Sequence, residues 1–216
     1  MSTFFSLFPI IFLIMGLAFM GLGLLVIIPK KPLIIPSRFT FYLILVSWAP
    51  MLLNLQPLFA PNARYARSSF ELMMPWAIVA MYSVLGLFMW MLMQGYTAYG
   101  VTDTSFRDGL VKSLEKLEIP FEENLSGIYL SSLGANLQVP IQSWMGSAQL
   151  NIRPRKLSPV LKTIVKEMNH YYKITSVSIN YTVAYFNLIM GLFMLMFAFY
   201  FQGVATQLSE RSTTGF

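Results

Sequence analysis

His170 is the only histidine of the chain and the first candidate for metal or acid–base chemistry. Glu167 precedes it by three residues, which places both side chains on one side of a helix. A metal site would need further carboxylates or other donors, and none lies nearby in the sequence. We therefore expect His170 on a helix surface and predict no catalytic residue, metal ligand or cofactor.

Two other patterns resemble ligand sites. Gly21-Leu22-Gly23 starts like a dinucleotide-binding string, but it lies inside an apolar run with no strand before it, which excludes that interpretation. Methionines concentrate in 89–93 and 190–196, and thioethers are ligands for Cu(I). No polar groups converge on them, so packing in apolar helices is the preferred interpretation.

Glu71 ends the string Ser68-Ser69-Phe70-Glu71, which has the spacing of a helix capping box. We predict that Glu71 caps a helix that begins there, and an intramembrane functional carboxylate is the alternative. Pro75 follows within the first turns and predicts a kink.

The composition is that of a membrane protein. Hydrophobic residues make up 56% of the 216 residues and charged residues only 11%, whereas soluble domains carry roughly 25% charged residues. The mean hydropathy is +0.61. The net charge of +6 fits the excess of Lys and Arg on the cytoplasmic face of such proteins, and we predict no nucleic-acid binding. The absence of cysteine excludes disulfides and thiolate chemistry.

Four apolar stretches predict about four transmembrane helices in a multi-pass protein. The first three lie within residues 1–95 and cover 4–28, 39–59 and 70–93. The fourth lies within 178–203 and is followed by a polar tail at 204–216. The second is the weakest because Pro50, Asn54, Gln56 and Pro57 interrupt its second half, so it either spans or re-enters. Suitable locations are a bacterial inner membrane or an organellar, thylakoid-type membrane.

Charge distribution favours four spans over three. Four spans place eight basic residues close to the membrane on one side: Lys30, Lys31, Arg38, Arg107, Lys112, Lys162, Lys166 and Lys173. The other side then has Arg64, Arg67 and Arg211. Three spans would divide the same residues five against six. The positive-inside rule thus predicts both termini outside and the insert in the cytoplasm.

Residues 97–177 predict a small α+β domain of order α-β-β-β-α, inserted between the third and fourth spans. A helix capped at Ser105 carries Phe106, Leu110, Leu114 and Leu117 at helical intervals. Period-two patterns follow at 128–131, 137–142 and 148–152, with Gly134 and Asn136 in a turn and Pro140 on an edge strand. The closing helix begins with Ser158 as N-cap and Pro159, and buries Leu157, Leu161, Ile164, Val165, Met168 and Tyr172.

Basic residues gather in the second half of this insert. We hypothesise that six of them contact anionic lipid headgroups: Arg153, Arg155, Lys156, Lys162, Lys166 and Lys173. The alternative is a solvated basic face without a defined ligand.

Small residues in the spans predict close helix packing. Gly16 and Gly23 share one face of the first span, and Gly191 and Ala198 repeat that spacing in the last. Asn187 is the one strongly polar residue deep in a good span, and we expect it to form an interhelical hydrogen bond.

These features favour a non-enzymatic accessory, scaffold or assembly subunit of a larger membrane complex. Its expected partners are anionic lipid and other membrane-protein subunits. The alternative is a small transporter or channel-like protein, for which the interrupted second span is the only encouragement. An enzyme acting on lipid would need an acid, base or nucleophile set that we do not find.

Overall fold

The computed structural model describes residues 3–54, 69–124 and 127–213. These residues form six α-helices: α1 (Thr3–Ile27), α2 (Ser37–Asn54), α3 (Ser69–Leu92), α4 (Asp103–Lys116), α5 (Ser158–Ile174) and α6 (Thr182–Thr213). They also form seven strands: β1 (Leu33–Pro36), β2 (Tyr96–Tyr99), β3 (Phe121–Asn124), β4 (Gly127–Leu130), β5 (Ala135–Gln138), β6 (Ile141–Gln142) and β7 (Ser147–Arg153).

The chain divides into two compact units. The helical unit consists of Met1–Ala18, Thr40–Met93 and Met190–Phe216. The sheet unit consists of Phe19–Phe39 and Gln94–Ile189, so it includes the second end of α1 and the first turns of α2 and α6 as well as the insert.

Three helices are long and apolar enough to cross a membrane. The qualifying segments are Leu7–Ile27 in α1, Met73–Leu92 in α3 and Thr182–Val204 in α6. The predicted span at 39–59 is helical up to Asn54, and its remainder lies outside the described residues, as does Ser68 of the predicted capping box. α2 is not among the qualifying helices, because Arg38 and several polar residues lower its hydropathy.

The sheet is antiparallel, with strand order β1-β2-β7-β5-β4-β3 and β6 paired to β7. The α+β prediction for the insert is therefore confirmed in outline, but three of the strands were not predicted. β2 and β3 belong to the insert, whereas β1 comes from the connection between α1 and α2. β1 pairs with β2 in the register Leu33 to Tyr99 and Pro36 to Tyr96. The sheet is thus assembled from two separate parts of the chain.

The strand that was predicted to place Pro140 at a sheet edge is divided into two. β5 lies inside the sheet, between β4 and β7, whereas β6 pairs with β7 alone, and Pro140 falls in the break between them. The missing N–H is tolerated there because the Pro140 carbonyl still accepts a hydrogen bond from the Gln149 amide at 3.0 Å. Gly134 is in the turn with φ of +58°, while Asn136 belongs to β5.

Two helix starts differ from the prediction by one turn or less. Thr102, and not Ser105, is the N-cap of α4, and Ser105 is the N3 residue that completes a capping box with it. Ser158 is the first residue of α5 and makes no capping bond, because the 3₁₀ turn Arg155–Leu157 leads directly into the helix.

α4 and α5 supply one half of the domain core. Phe106, Leu110 and Leu114 of α4 are buried, and so are Leu161, Ile164, Val165, Met168 and Tyr172 of α5. The sheet contributes alternate residues of its strands, such as Leu130, Leu137 and Leu150. Tyr172 is the largest of the buried side chains, and its hydroxyl donates to the Ser105 carbonyl at 3.2 Å. Burial raises the pKa of Tyr172 well above its usual value.

Replacing Gly109 with alanine is expected to destabilise the domain. A Cβ at Gly109 would lie 2.7 Å from the Tyr172 hydroxyl oxygen, and the buried ring has no free space to enter. Overpacking of this kind costs about 1–3 kcal/mol. Thermal unfolding of the detergent-solubilised protein should show a midpoint several degrees lower for Gly109→Ala. Asp108→Ala, at the exposed neighbouring position, should unfold like the wild type.

Candidate membrane-facing site

The exposed face of α5 carries a row of lysines. Lys162, Lys166 and Lys173 are exposed and fall within about 40° of one another at 100° per residue. The opposite side of the helix packs on the core, so α5 has one apolar and one basic face. Three of the six predicted headgroup ligands therefore share one surface.

The other three predicted headgroup ligands lie where β7 leads into α5. Arg153 is the last residue of β7, and Arg155 and Lys156 form the 3₁₀ turn that follows it. All three side chains are exposed. The chain thus carries basic side chains at the first end of α5 and along its outer face.

Lys31 holds the second end of α5. Its ammonium donates to the Lys173 carbonyl oxygen at 2.6 Å, in the last turn of the helix. A cation there satisfies a carbonyl that has no intrahelical partner and interacts favourably with the helix dipole. Because Lys31 lies between α1 and β1, this bond links the end of α5 to the end of α1.

α5 leads from the end of β7 to the start of β1 and contacts both strands. β1 and β7 run parallel because both are antiparallel to β2. α5 begins at the end of β7 and finishes at Lys31, two residues before β1, so it returns in the opposite direction. At 1.5 Å per residue its 17 residues cover about 25 Å. The last turn of the basic face therefore lies beside the connection between α1 and β1.

His170 and Glu167 do not form a metal site with other groups. Glu167 accepts a hydrogen bond from Lys116 of α4 at 2.6 Å, which lowers the pKa of that carboxyl, and His170 is exposed. Over the whole described part of the chain, no group of three or more His, Cys, Asp or Glu side chains could hold a metal ion.

A groove of about 680 Å³ opens between α4 and the sheet. Phe106, Leu110 and Ile128 line it, and Arg107 and Glu123 form an ion pair on its rim. The rim charges satisfy each other, so this groove gives no indication of a ligand.

The predicted packing glycines of α1 lie against α6. A Cβ at Gly16 would lie 2.9 Å from the Leu195 side chain and 3.0 Å from the Gly191 carbonyl oxygen, all within the helical unit. In the sheet unit, a Cβ at Gly23 would lie 2.7 Å from the Ala184 carbonyl oxygen and 2.8 Å from Leu188. At both places the helix backbones approach as closely as only glycine permits.

Aromatic contacts and two further residues predicted to pack, Ala198 and Asn187, are also found in α1 and α6. In the helical unit, Phe8 stacks near Phe201 with ring centroids 5.1 Å apart, and Ala198 is buried. In the sheet unit, Asn187 is buried with 7% of its surface exposed.

α2 and α3 enclose an apolar slot of about 460 Å³ in the helical unit. Its walls include Trp48 and Trp90, and Gly86 forms part of its floor. Among the described residues, a Cβ at Gly86 would meet only the Trp48 ring, at an ordinary 3.7 Å. The packing of these residues therefore does not require glycine at this position.

Sequence reasoning missed Lys31 and Gly86. Lys31 was counted only among the basic residues close to the membrane, although a lysine beside a helix end is a recognised capping group. Gly86 carries no signal in the sequence beyond being a glycine inside a helix.

Comparison with protein-family models, characterised proteins and solved structures finds no match to this chain.

Substitutions at two neighbouring glycines test the α1–α6 contact. Gly23→Ala should lower stability by about 1–3 kcal/mol, because the new methyl group meets the backbone of α6. Gly21→Ala is the matched control, because no atom lies within 4 Å of its Cβ position. It should be neutral or gain up to about 1 kcal/mol from helix propensity. Equal unfolding curves for the two variants in detergent would contradict the proposed packing role.

Proposed function

We propose that this protein is an integral-membrane accessory or assembly subunit whose chain crosses the bilayer four times and holds a small α+β domain against one leaflet. The pairing of β1 with β2 supports the number of crossings. β1 follows α1 and β2 follows α3, so the two helices must end on the same side of the membrane. If α1 and α3 both span toward that side, the chain between them has to cross back.

The segment that crosses back contains α2, and residues 55–68 after it lie outside the described part of the chain. Its weaker hydropathy is compatible with a span, because a neighbouring helix shields part of its surface: Phe41 packs edge-on against Trp90 at 5.3 Å. The excess of Lys and Arg on the domain side then assigns that side to the cytoplasm.

α5 is the element that we propose rests on lipid. Both ends of β1 adjoin apolar helices, so this edge of the sheet is the one nearest to the membrane in the proposed arrangement. The last turn of α5 lies beside the start of β1 at this edge, and the lysines of α5 are exposed. Anionic headgroups attract each such residue by about 1 kcal/mol near the surface.

Single cysteines in this cysteine-free chain can test the lipid contact. A polarity-sensitive fluorophore on Lys166→Cys should shift to shorter wavelength in nanodiscs that contain anionic lipid, and high salt should reverse part of the shift. The same fluorophore on Asp108→Cys, at an exposed position of α4, should respond to neither change. Identical spectra at the two positions would rule out the contact.

The surface of α3 supports a subunit role. The Met73–Leu92 span has only 6% of its residues buried, against 28% for the spans in α1 and α6. It also contains Gly86, which costs about 1 kcal/mol of helix stability relative to alanine and is not required for packing against any described residue. Small residues allow close helix approach in membranes. We propose that a helix of a partner subunit packs into the slot at Gly86.

Co-purification tests this role. The protein isolated from its native membrane in mild detergent should carry a stoichiometric membrane-protein companion, identified by size analysis and mass spectrometry. Gly86→Leu fills the slot and should release most of that companion. Val84→Phe, on the opposite and exposed side of α3, should retain it.

Thermal stability of the isolated variants separates the outcomes. Gly86→Leu should unfold at or slightly above the wild-type temperature, since leucine favours the helix and only Trp48, among the described residues, lies near the added Cβ. A monomer without any companion, stabilised instead by a particular small solute, would contradict the subunit role and favour transport.

A further inference from the structure

Trp144 is the most exposed large apolar side chain among the described residues of the sheet unit, at 75%. It sits in the four-residue turn between β6 and β7. Ile28 and Ile174 follow at 72% and 71%. Solvent exposure of an indole in a small domain calls for a partner, and the position of these three side chains indicates which one.

The turn that carries Trp144 is fixed against the start of α6. The Asn180 side-chain amide donates to the Ser143 carbonyl at 2.7 Å, and the Val183 amide donates to the Met145 carbonyl at 3.0 Å. Gly146 has φ of +71°, and a Cβ there would lie 2.7 Å from Asn180. Trp144 is therefore held within about one turn of Thr182, where the apolar segment of α6 begins.

The other two side chains also lie near the end of α1. Ile28 directly follows the Leu7–Ile27 segment of α1. Ile174 ends α5, beside the carbonyl that Lys31 holds. All three exposed apolar groups thus adjoin positions where the chain would pass from membrane to water, the zone in which tryptophan is enriched.

We infer that the 143–146 turn is a membrane anchor, in which the Trp144 indole inserts among the lipid headgroups beside the start of α6. The apolar ring contacts the upper acyl chains, and its N–H remains among polar groups. Together with Ile28 and Ile174, it fixes the tilt of the domain on the leaflet. The inference rests on the proposed insertion of α6 into the bilayer.

Tryptophan fluorescence tests the anchor. A variant with Trp48, Trp76 and Trp90 changed to phenylalanine retains Trp144 alone. In reconstituted vesicles its emission should be blue-shifted from that of free tryptophan. Lipids brominated near the headgroup should quench it more strongly than lipids brominated deep in the chain, and aqueous iodide should quench it weakly.

Two reference variants carry the single tryptophan elsewhere, with Trp144 also changed to phenylalanine. Tyr129→Trp, on the open face of the sheet, should respond to iodide and not to brominated lipid. Phe197→Trp, exposed within α6, should respond to deep bromines. If Phe197→Trp responds so while Trp144 behaves like Tyr129→Trp, the anchor is refuted and membrane insertion stands. If Phe197→Trp also ignores brominated lipid, the proposed insertion itself fails.

A nitroxide on Trp144→Cys gives a second measurement that leaves the other tryptophans in place. Oxygen, which concentrates in lipid, should relax the label more than a water-soluble nickel complex does. The reverse order would overturn the anchor. Protection from both reagents, with a dimer seen by size analysis, would assign the turn to contact with a second copy and would also overturn it.

Discussion

The backbone pairing of β1 with β2 is the constraint on which the rest of the structure depends. β1 has only four residues. Because α1 ends shortly before it and α2 begins directly after it, β1 must lie close to the end of α1 and the start of α2. Every other strand is added outward from it through β2 and β7. The insert is connected covalently to α3 at its start and to α6 at its end. The hydrogen bonds between β1 and β2 add a third connection, to the segment between α1 and α2.

α5 has an apolar face that packs in the core and an opposite face that exposes lysines. Its apolar face closes the core through Ile164, Met168 and Tyr172, and this packing turns the lysines of the opposite face outward. Lys31 ties the far end of the helix to the connection after α1. An element that completes a core on one side and presents charge on the other would couple the stability of the domain to the anionic lipid that we propose it contacts, which suits a domain with a thin core.

The sequence predicted the elements whose patterns are long, and missed those whose patterns are short. α4, α5 and β7 each extend over enough residues for their periodicity to appear. Most of the residues predicted on their apolar faces are buried, although Leu117 and Leu157 are only partly buried. β1 was not predicted because Leu-Ile-Ile-Pro resembles the end of an apolar span. β3 was not predicted because two of its four residues are glutamates. Pairing across 60 residues, such as that of Pro36 with Tyr96, leaves no local signal. The lysine face of α5 could be predicted, but its place beside β1 could not, because it depends on that pairing.

The most direct test of the account is the side of the membrane on which two single cysteines lie. In sealed, oriented vesicles, an impermeant maleimide should label Asn62→Cys, between α2 and α3, from one side only. It should label Glu122→Cys, in β3, only from the other. Opposite sides are what four crossings require. Labelling of both cysteines from the same side would mean that the chain does not cross back after β1, and the account would be wrong.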